Sequence, residues 1–283
     1  MGEDMIPNRL HFVFGMAPDF GGKPFSLVHF LSVRSAVALN RPQEAVLHYQ
    51  YEPSGIWWEH ARPLLTLNRI QAPERIMGKE LYHVAHRADV VRLRALQESG
   101  GIYLDLDTIS VQPLTPLLDH SFVIGEERRL PRAPRNWRQR LKRKLGWWKP
   151  LPDGPTGLCN AVLLSEPGSP FIRMWLESYR NFRSRGRDKY WNEHSVKVPE
   201  RLAEKYPGSL TRLGPDVFHH PLYDMAGLQA LFEERHQYPQ ALVHHLWESF
   251  SWEPYLSRIT ASDIRDRDTT YNCIARRFLP VDA

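Results

Sequence analysis

The sequence predicts an α/β protein whose mostly parallel β-sheet is covered by helices on both faces. Short apolar runs typical of buried strands alternate along the chain with segments whose apolar residues recur at helical spacing. The 283 residues include 23 prolines and 17 glycines, which suits a protein with many loops better than a helical bundle. With 42% hydrophobic and 24% charged residues, the chain has the composition of an ordinary globular protein with a sizeable core.

Short patterns predict the first elements. Residues 9–15 form an apolar run that follows a proline and ends at a glycine, so we expect a buried strand there. Residues 26–39 carry apolar side chains at helical spacing and predict a helix. A second strand is expected at residues 45–51 and a second helix at residues 57–67.

A longer amphipathic helix and a strand follow. The helix has one apolar stripe at positions i, i+4, i+7 and i+11, formed by Val84, Ala88, Val91 and Ala95. The glycine pair at 100–101 ends this helix. Residues 102–109 then predict a strand.

The second half of the chain continues the alternation. Strands are expected at residues 123–124, 158–165 and 242–246. Helices are expected near residues 170–182 and 196–205. Alternating strands and helices favour a parallel sheet, because parallel strands need crossover connections.

The strand at residues 102–109 has two different faces. Because side chains alternate along a strand, the apolar residues share one face and the polar ones the other, where we expect Tyr103, Asp105 and Asp107. Two carboxylates this close repel each other unless a cation neutralises them. Carboxylate oxygens suit a hard divalent ion such as Mg²⁺ or Mn²⁺. Such an ion stabilises negative charge on a departing diphosphate.

The Asp-x-Asp pattern by itself leaves other interpretations open. It fits two carboxylates on a solvated loop, and it also occurs in haloacid-dehalogenase-type phosphatases. Such a phosphatase would carry Gly at position 108 and Thr or Val at position 109, where this chain has Thr108 and Ile109. A third interpretation is a protein that binds an anionic surface or nucleic acid through a basic segment, with salt-sensitive affinity.

The surrounding residues carry a resemblance to a known family. His86-Arg87-Ala88-Asp89-Val90-Val91-Arg92, followed by Gly100-Gly101-Ile102-Tyr103-Leu104-Asp105-Leu106-Asp107, resembles the sugar-binding region of glycosyltransferase family 32. The family includes capsular polysaccharide enzymes and yeast-type mannosyltransferases, and the large glucosylating toxins have a similar core. The combination of Ala-Asp-x-x-Arg with Gly-Gly-x-Tyr-x-Asp-x-Asp is far more specific than either part.

The resemblance implies a GT-A fold with a Rossmann-like sheet, a nucleotide-sugar donor, a Mn²⁺ or Mg²⁺ ion and retention of anomeric configuration. It implies that Asp89 binds donor-sugar hydroxyls, Arg92 the sugar and phosphate region, and Tyr103 the nucleotide. Asp105 would bridge the ribose or sugar and the metal, and Asp107 would ligate the metal. The catalytic residues would be Asp105, Asp107 and Arg92. Without the rest of the motif, Asp89 and Arg92 would be read as a surface ion pair one helical turn apart.

Further matches span roughly residues 6–252. His11-Phe12-Val13-Phe14-Gly15 is similar to the first strand of the toxins, which assigns Phe14 to the base with Val13 beside it, although Phe14 could equally be core. Asn160 would lie near the donor sugar. The closing segment resembles the family's His…Ser-Trp element, which adds His245 as a metal ligand and Ser251 and Trp252 as donor-binding residues. The resemblance therefore implies one GT-A domain over residues 1–283, with an insertion at about 128–149.

The donor, the acceptor and the second catalytic group are less defined. The resemblance favours a UDP-hexose donor, with GDP-mannose next, and a glycan or protein hydroxyl as acceptor. Retention could proceed through a covalent carboxylate intermediate or by same-face attack. Glu126 and Glu127, just after a predicted strand, are the nearest unassigned acids.

The insertion is strongly basic. Ten lysines and arginines lie between Arg128 and Lys149 with no acid among them, so removing them from the net charge of +5 leaves −5 for the rest of the chain. We expect this segment to be mobile unless an anion orders it. It could serve as a lid over the diphosphate, as a dock for an anionic acceptor, or as a peripheral contact with an anionic membrane. Nucleic acid is not favoured, because no recognised nucleic-acid motif accompanies the basic run.

The two cysteines, Cys159 and Cys273, lie far apart and form no CxxC pair. A disulfide framework and a thiolate metal site are both disfavoured, and we expect reduced thiols in the cytoplasm. The first residues lack the apolar core of a signal peptide. No apolar run reaches the roughly 18 residues of a membrane-spanning helix.

Overall fold

The computed structural model describes residues 5–128 and 155–281, together with Arg138, Leu141, Lys144 and Leu145. Its centre is a seven-stranded sheet of order β10-β8-β9-β6-β1-β2-β3, accompanied by two two-stranded sheets, β7-β11 and β4-β5. The strands are β1 (Arg9–Phe14), β2 (Glu44–Tyr49), β3 (Thr66–Arg69), β4 (Arg75–Ile76), β5 (Lys79–Glu80), β6 (Gly101–Leu104), β7 (Thr108–Ser110), β8 (Phe122–Arg128), β9 (Pro155–Ser165), β10 (Thr211–Leu213) and β11 (Val243–His245).

Helices connect the strands and cover the sheet. In the part of the chain that the structure describes, the α-helices are α1 (Leu27–Asn40), α2 (Ile56–Ala61), α3 (Val84–Ser99), α4 (Pro170–Ser178), α5 (Val198–Lys205), α6 (Pro215–Phe218), α7 (Met225–Phe232), α8 (Glu248–Ser251), α9 (Ala261–Asp266) and α10 (Thr270–Ala275). A short π-helix at Glu193–Lys197 precedes α5. None of the helices described is long and apolar enough to span a membrane.

The sheet is mostly parallel, as predicted. Strand β1 runs parallel to β2 and β6, β2 runs parallel to β3, and β8 runs parallel to β10. Strand β9 alone among the seven is antiparallel to its neighbours, β6 and β8. The carboxyl ends of β1, β6 and β8 therefore lie at one edge, where β9 begins. Ligands of open α/β sheets bind at this edge.

Apolar cores lie on both faces of the sheet, which confirms the predicted layers. Ile102 and Leu104 of β6 belong to the cluster that also contains Phe30 of α1. Tyr103, between them, belongs to the opposite cluster, with Val90 of α3. The alternation expected for the first part of this strand is therefore correct.

The strand predicted at residues 102–109 is interrupted. Strand β6 ends at Leu104, and β7 pairs with β11 in a separate sheet. Asp105 and Asp107 lie in the turn between them, where the Thr108 hydroxyl donates to the Asp105 carbonyl at 2.7 Å. The two acids therefore lie beyond the carboxyl edge of the sheet. The conformation of the turn, rather than strand alternation, determines how their side chains are placed relative to each other.

The helix predicted at residues 57–67 is also shorter than expected. Helix α2 ends at Ala61, and a 3₁₀ turn at Arg62–Leu64 leads into β3, which the sequence did not predict. Pro63 lies in this turn and cannot donate a backbone hydrogen bond, so the α-helix does not continue through it.

The glycines that end α3 are where the sequence placed them. Gly100 and Gly101 have φ values of +63° and +112°. A Cβ at Gly100 would lie 2.7 Å from the Pro167 nitrogen, and one at Gly101 would lie 2.6 Å from the Arg9 carbonyl oxygen. Only glycine fits this crossing from helix to strand without strain.

Candidate active site

A buried arginine lies at the centre of the site. Arg92, 5% exposed on α3, places Nη1 3.0 Å from the Asp105 carboxylate and donates from the same nitrogen to the Asn160 carbonyl at 2.8 Å. Its Nη2 lies 3.2 Å from Asp89, and its guanidinium carbon lies 4.5 Å from the centre of the Tyr103 ring. One cation therefore faces two carboxylates and an aromatic ring.

The partners of Arg92 also bind one another. The Asn160 amide donates to Asp89 at 2.7 Å, and the Tyr103 hydroxyl donates to Asp105 at 2.6 Å. Asp89 is buried like Arg92, so the alternative of an exposed surface ion pair is wrong. Helix α3, strand β6 and strand β9 each contribute to this rigid network of charge-assisted hydrogen bonds.

The electrostatics of the network follow from burial. Burial would lower the pKa of Arg92, but the charges of Asp105 and Asp89 outweigh it, so the pKa is raised and the guanidinium stays charged. Burial, assisted by the charge of Asp107, raises the pKa of Asp105 in spite of Arg92. The charge of Asp107 thus raises the pKa of Asp105, as expected from the spacing of the two acids in the sequence.

Asp107 faces a histidine from the small sheet. His245, on β11, places Nε2 3.3 Å from Asp107 Oδ2, and the Glu248 amide donates to the same oxygen at 2.8 Å. Burial would raise the pKa of Asp107, but His245 and the hydrogen bonds outweigh it and hold the pKa below its usual range. The pairing of β7 with β11 brings these distant parts of the chain together, with His245 opposite Thr108.

These residues fit a divalent ion. One ligand atom from each of Asp105, Asp107 and His245 lies within 4.8 Å of the others. Two carboxylates and an imidazole are suitable ligands for Mn²⁺ or Mg²⁺. The structure therefore brings together the predicted metal ligands, although they come from separate sheets.

A groove extends from the acids to the end of β1. Val13 and Phe14 line the same pocket as Ala88, Arg92 and Asp105. The Phe14 ring stacks on Phe20, with ring centres 5.4 Å apart and an angle of 16° between the planes. The proposed base-binding residues thus share a groove with the carboxylates, although Phe14 is also part of an aromatic cluster.

The structure does not bring Ser251 and Trp252 into the pockets at Asp107. Ser251 is 0% exposed, and its hydroxyl donates to the Leu246 carbonyl at 2.6 Å. The Trp252 ring stacks on His29, with ring centres 6.0 Å apart. Ser251 therefore braces the segment that follows His245, and Trp252 packs against His29 without lining these pockets.

The structure adds residues that the sequence did not assign. Glu127 is 6% exposed and lines a pocket with Asp105, Asp107, Asn160 and His245. Burial raises the pKa of Glu127. Glu126, next to it, instead forms an ion pair with Arg212. Strand alternation was the signal that could have separated the two acids.

An aromatic group lines the remaining side of this pocket. Trp191, Tyr223, Trp247 and Phe250 surround the space in front of Asp107. Tyr223 and Phe250 stack, with ring centres 4.6 Å apart. Two of these side chains come from the stretch 191–223, where the sequence showed no motif, so only the fold reveals them.

The comparisons with known proteins agree with this site. Residues 44–124 match the family described as "Glycosyltransferase sugar-binding region containing DXD motif". This segment includes Asp89, Arg92, Asp105 and Asp107. Glucan organizing enzyme 1 of Cryptococcus neoformans var. grubii is 34% identical over 281 residues, which cover 97% of this chain and 71% of that protein.

Solved glycosyltransferase structures also align with the chain. The PaToxG glycosyltransferase is 14% identical, with a TM-score of 0.44 over 96% of this chain and 87% of that one. Mouse xyloside xylosyltransferase 1 is 13% identical, with a TM-score of 0.47 over 87% of this chain and 99% of that one. Both TM-scores are below 0.5, so the family assignment rests on the Cryptococcus relative and on the family match at residues 44–124. The protein belongs to the glycosyltransferase family whose sugar-binding region contains the DXD motif.

Proposed function

We propose that the protein is a divalent-metal-dependent, retaining glycosyltransferase that moves a hexose from a nucleotide sugar to a hydroxyl group of a glycan. The convergence of Asp105, Asp107 and His245 beside the Arg92 network carries this proposal. An ion bound by these ligands would supply the positive charge that stabilises a departing nucleoside diphosphate. Mn²⁺ and Mg²⁺ both suit this ligand set.

The donor sugar would bind against the Arg92 network. Asp89 accepts from Asn160 and faces Arg92, so its carboxylate is held rigidly. A rigid carboxylate can accept hydrogen bonds from sugar hydroxyls with little loss of side-chain entropy. Asp105, fixed by Tyr103 and Arg92, would contact both the sugar or ribose and the ion.

The nucleotide would extend along the groove toward β1. Val13 and Phe14 offer apolar surface at the far end of the pocket that contains Asp105. This arrangement supports a base next to Phe14 and a diphosphate next to the carboxylate pair. By family resemblance we favour UDP-hexose as the donor, with GDP-mannose as the next candidate.

The acceptor would approach from the aromatic side. Trp191, Tyr223, Trp247 and Phe250 line the pocket that also contains Asp107 and Glu127. Binding sites for organic ligands combine such apolar and aromatic walls with a few placed polar groups. The word glucan in the name of the Cryptococcus relative supports a glycan acceptor.

The experiment is a transfer assay with UDP-glucose or GDP-mannose, Mn²⁺ and a glucan oligosaccharide. We expect one new glycosidic bond whose anomeric configuration, read by proton NMR, equals that of the donor. An inverted product would contradict retention. Donor turnover to free sugar, with no transfer to any oligosaccharide, would contradict the glycan acceptor.

A further inference from the structure

A second group of side chains of metal-ligand type shares His245 with the carboxylate pair. Cys159 of β9, His219 after α6 and His245 of β11 each place one ligand atom within 4.8 Å of the others. All three residues are buried. They come from three separate elements, so the spacing of cysteines in the sequence gave no indication of them.

The histidines of this group have unused nitrogens. Both ring nitrogens of His219 and Nδ1 of His245 are buried and have no hydrogen-bond partner in the described part of the chain. Buried polar atoms are nearly always paired, because leaving them unpaired costs free energy. A neutral imidazole ring offers one of its nitrogens as a metal ligand, and neither nitrogen of His219 is used otherwise.

The group is held in place by close packing. A Cβ at Gly125 of β8 would lie 2.7 Å from the Phe218 ring and 3.1 Å from the His219 ring. Strand β8 therefore approaches His219 as closely as a glycine allows. Cys159 is fixed on β9, opposite Gly125 in the register of the two strands. Such a prearranged set of ligands needs little ordering when an ion binds.

The charges of the group would balance around a divalent ion. The buried Cys159 thiol lies beside the buried Glu127 carboxylate. Binding would replace the thiol proton by the metal–sulfur bond and release that proton to solvent. The thiolate and Glu127 then neutralise the two charges of the ion, and no net charge is left buried.

From this geometry we propose that Cys159, His219 and His245 bind a zinc-class divalent ion at a site separate from the Asp105–Asp107 pair. One thiolate and two imidazoles are typical ligands of Zn²⁺, whereas the carboxylate pair suits a harder ion. Cys159 and His245 both line the pocket that contains the carboxylates, which gives the ion a route to the site.

His245 connects the two sites. Its Nε2 lies 3.3 Å from Asp107, while Nδ1 is the buried nitrogen without a partner. An ion on Nδ1 leaves the proton on Nε2, which donates it to the carboxylate, as metal-bound histidines usually do. With this ion bound, His245 orients Asp107 through Nε2, and the donor-site ion then keeps Asp105 and Asp107 as ligands in place of the three-residue set proposed above.

Cobalt titration tests the proposal, because a Co²⁺–thiolate bond gives a charge-transfer band in the near ultraviolet. Wild-type protein is titrated with Co²⁺ in the presence of saturating Mg²⁺, which occupies the carboxylate pair. We expect the thiolate band to saturate at one equivalent of Co²⁺ and to be abolished by stoichiometric Zn²⁺. Absence of the band in the folded wild-type protein overturns the proposal.

The chain offers a matched control for the cysteine. We expect Cys159→Ser to lose the band and Cys273→Ser, whose thiol contacts Asp268 and belongs to neither group of ligand atoms, to keep it. We expect His219→Asn, which removes one of the three ligands, to weaken Co²⁺ binding at least as much as loss of an outer-shell partner does, about 10- to 100-fold. Circular dichroism verifies the fold of each variant. A band that survives in Cys159→Ser, or disappears only in Cys273→Ser, also overturns the site. The absorption readout is independent of sugar transfer, so failure here leaves the proposed function intact.

Discussion

At the scale of single residues, the site depends on a buried guanidinium between two carboxylates. Arg92 is flanked by Asp89 and Asp105, and all three side chains are largely withdrawn from solvent. Buried ion pairs contribute little net stability, yet removing one partner costs about 3–5 kcal/mol because the other charge is left uncompensated. A substitution of Arg92 would therefore change folding stability and activity together. A residue with fewer partners gives a clearer test of activity alone.

Glu127 is such a residue, and its neighbour is the control. Glu127 faces the carboxylate pair in the pocket, whereas Glu126 contacts Arg212. We expect Glu127→Gln to lower kcat about 100-fold or more, since its negative charge would stabilise or attack the developing sugar cation. The measurement is kcat for sugar transfer.

In Glu126→Gln, Arg212 keeps its second partner, Glu200. That variant should retain near wild-type kcat and lose at most about 1 kcal/mol of stability, as for other ion pairs near the surface. Equal kcat values in the two variants would remove Glu127 from the reaction.

At the scale of secondary-structure elements, a chain of hydrogen bonds crosses three neighbouring strands, β3, β2 and β1, and ends at the residue before β6. The Asn68 amide of β3 donates to His48 Nδ1 at 3.0 Å, so Nε2 of His48 carries the proton. This Nε2 donates to His11 Nδ1 at 3.0 Å, and His11 Nε2 donates to the Gly100 carbonyl at 2.9 Å. Both histidines are buried and must be neutral, because a second ring proton would place two donors face to face.

These histidines make stability depend on pH. Burial lowers the pKa of both His11 and His48 to about 4. As the pH falls below about 6.5, the unfolded chain binds protons that the folded chain does not, so stability decreases until the folded pKa is reached. Each histidine should cost up to about 3 kcal/mol of unfolding free energy between pH 6.5 and pH 4.

Urea unfolding at several pH values measures this effect. We expect His48→Gln, which keeps a donor and an acceptor without titrating, to lose only the part of the slope that His48 contributes, because buried His219 and His244 also have lowered pKa values. A slope unchanged from wild type in the folded variant would show that His48 is not a source of the pH dependence.

The sequence alone predicted the elements whose apolar residues form a clear helical stripe or a clear apolar run. The stripe from Val84 to Ala95 defined α3, and the apolar runs at residues 9–15 and 158–165 located β1 and β9. Helices α6 to α10 have four to eight residues, too few for a stripe to stand out. The turn at Asp105 was missed because its polar residues also fit strand alternation.

At the scale of the whole molecule, sheet order assembles the site. The motif residues from Asp89 to Asp107 are close in sequence and could be recognised directly. Asn160 and His245 were assigned by family resemblance, and pairing of β9 with β6 and β11 with β7 brings them to the motif. Glu127 was a candidate from the sequence that only strand alternation could separate from Glu126, and His219 had no signal, because its position depends on burial and on neighbours distant in sequence.

The basic insertion is attached at the same edge of the sheet. Arg128, at the end of β8, pairs with Pro155, at the start of β9, so the insertion leaves and re-enters near the carboxylates. Most of the segment at 128–149 lies outside the described residues, so its mobility and its function as a lid or a docking site are still predictions from the sequence. Its ten cations suit an anionic acceptor.

Serine substitutions test whether the basic insertion binds the acceptor during transfer. We expect simultaneous replacement of Arg138, Arg140, Lys142, Arg143 and Lys144 by Ser to lower acceptor transfer several-fold and to spare donor hydrolysis. Rising salt should weaken wild-type transfer more than transfer by the variant, because exposed charges are screened within about 10 Å. Equal loss of transfer and hydrolysis would indicate a lid instead, and no change in either would remove both roles.

The central claim, that donor turnover depends on an ion held by Asp105 and Asp107, is tested most directly with Asp107→Ala. Thermal unfolding is measured for wild type and variant with UDP-hexoses and GDP-mannose, with and without Mn²⁺, alongside turnover. We expect one donor to raise the wild-type Tm only with Mn²⁺, since a bound ligand stabilises the folded state. The folded variant should show no such shift, and its turnover should fall about 100-fold or more. Full turnover by the variant, or by wild type in excess EDTA, would contradict the account.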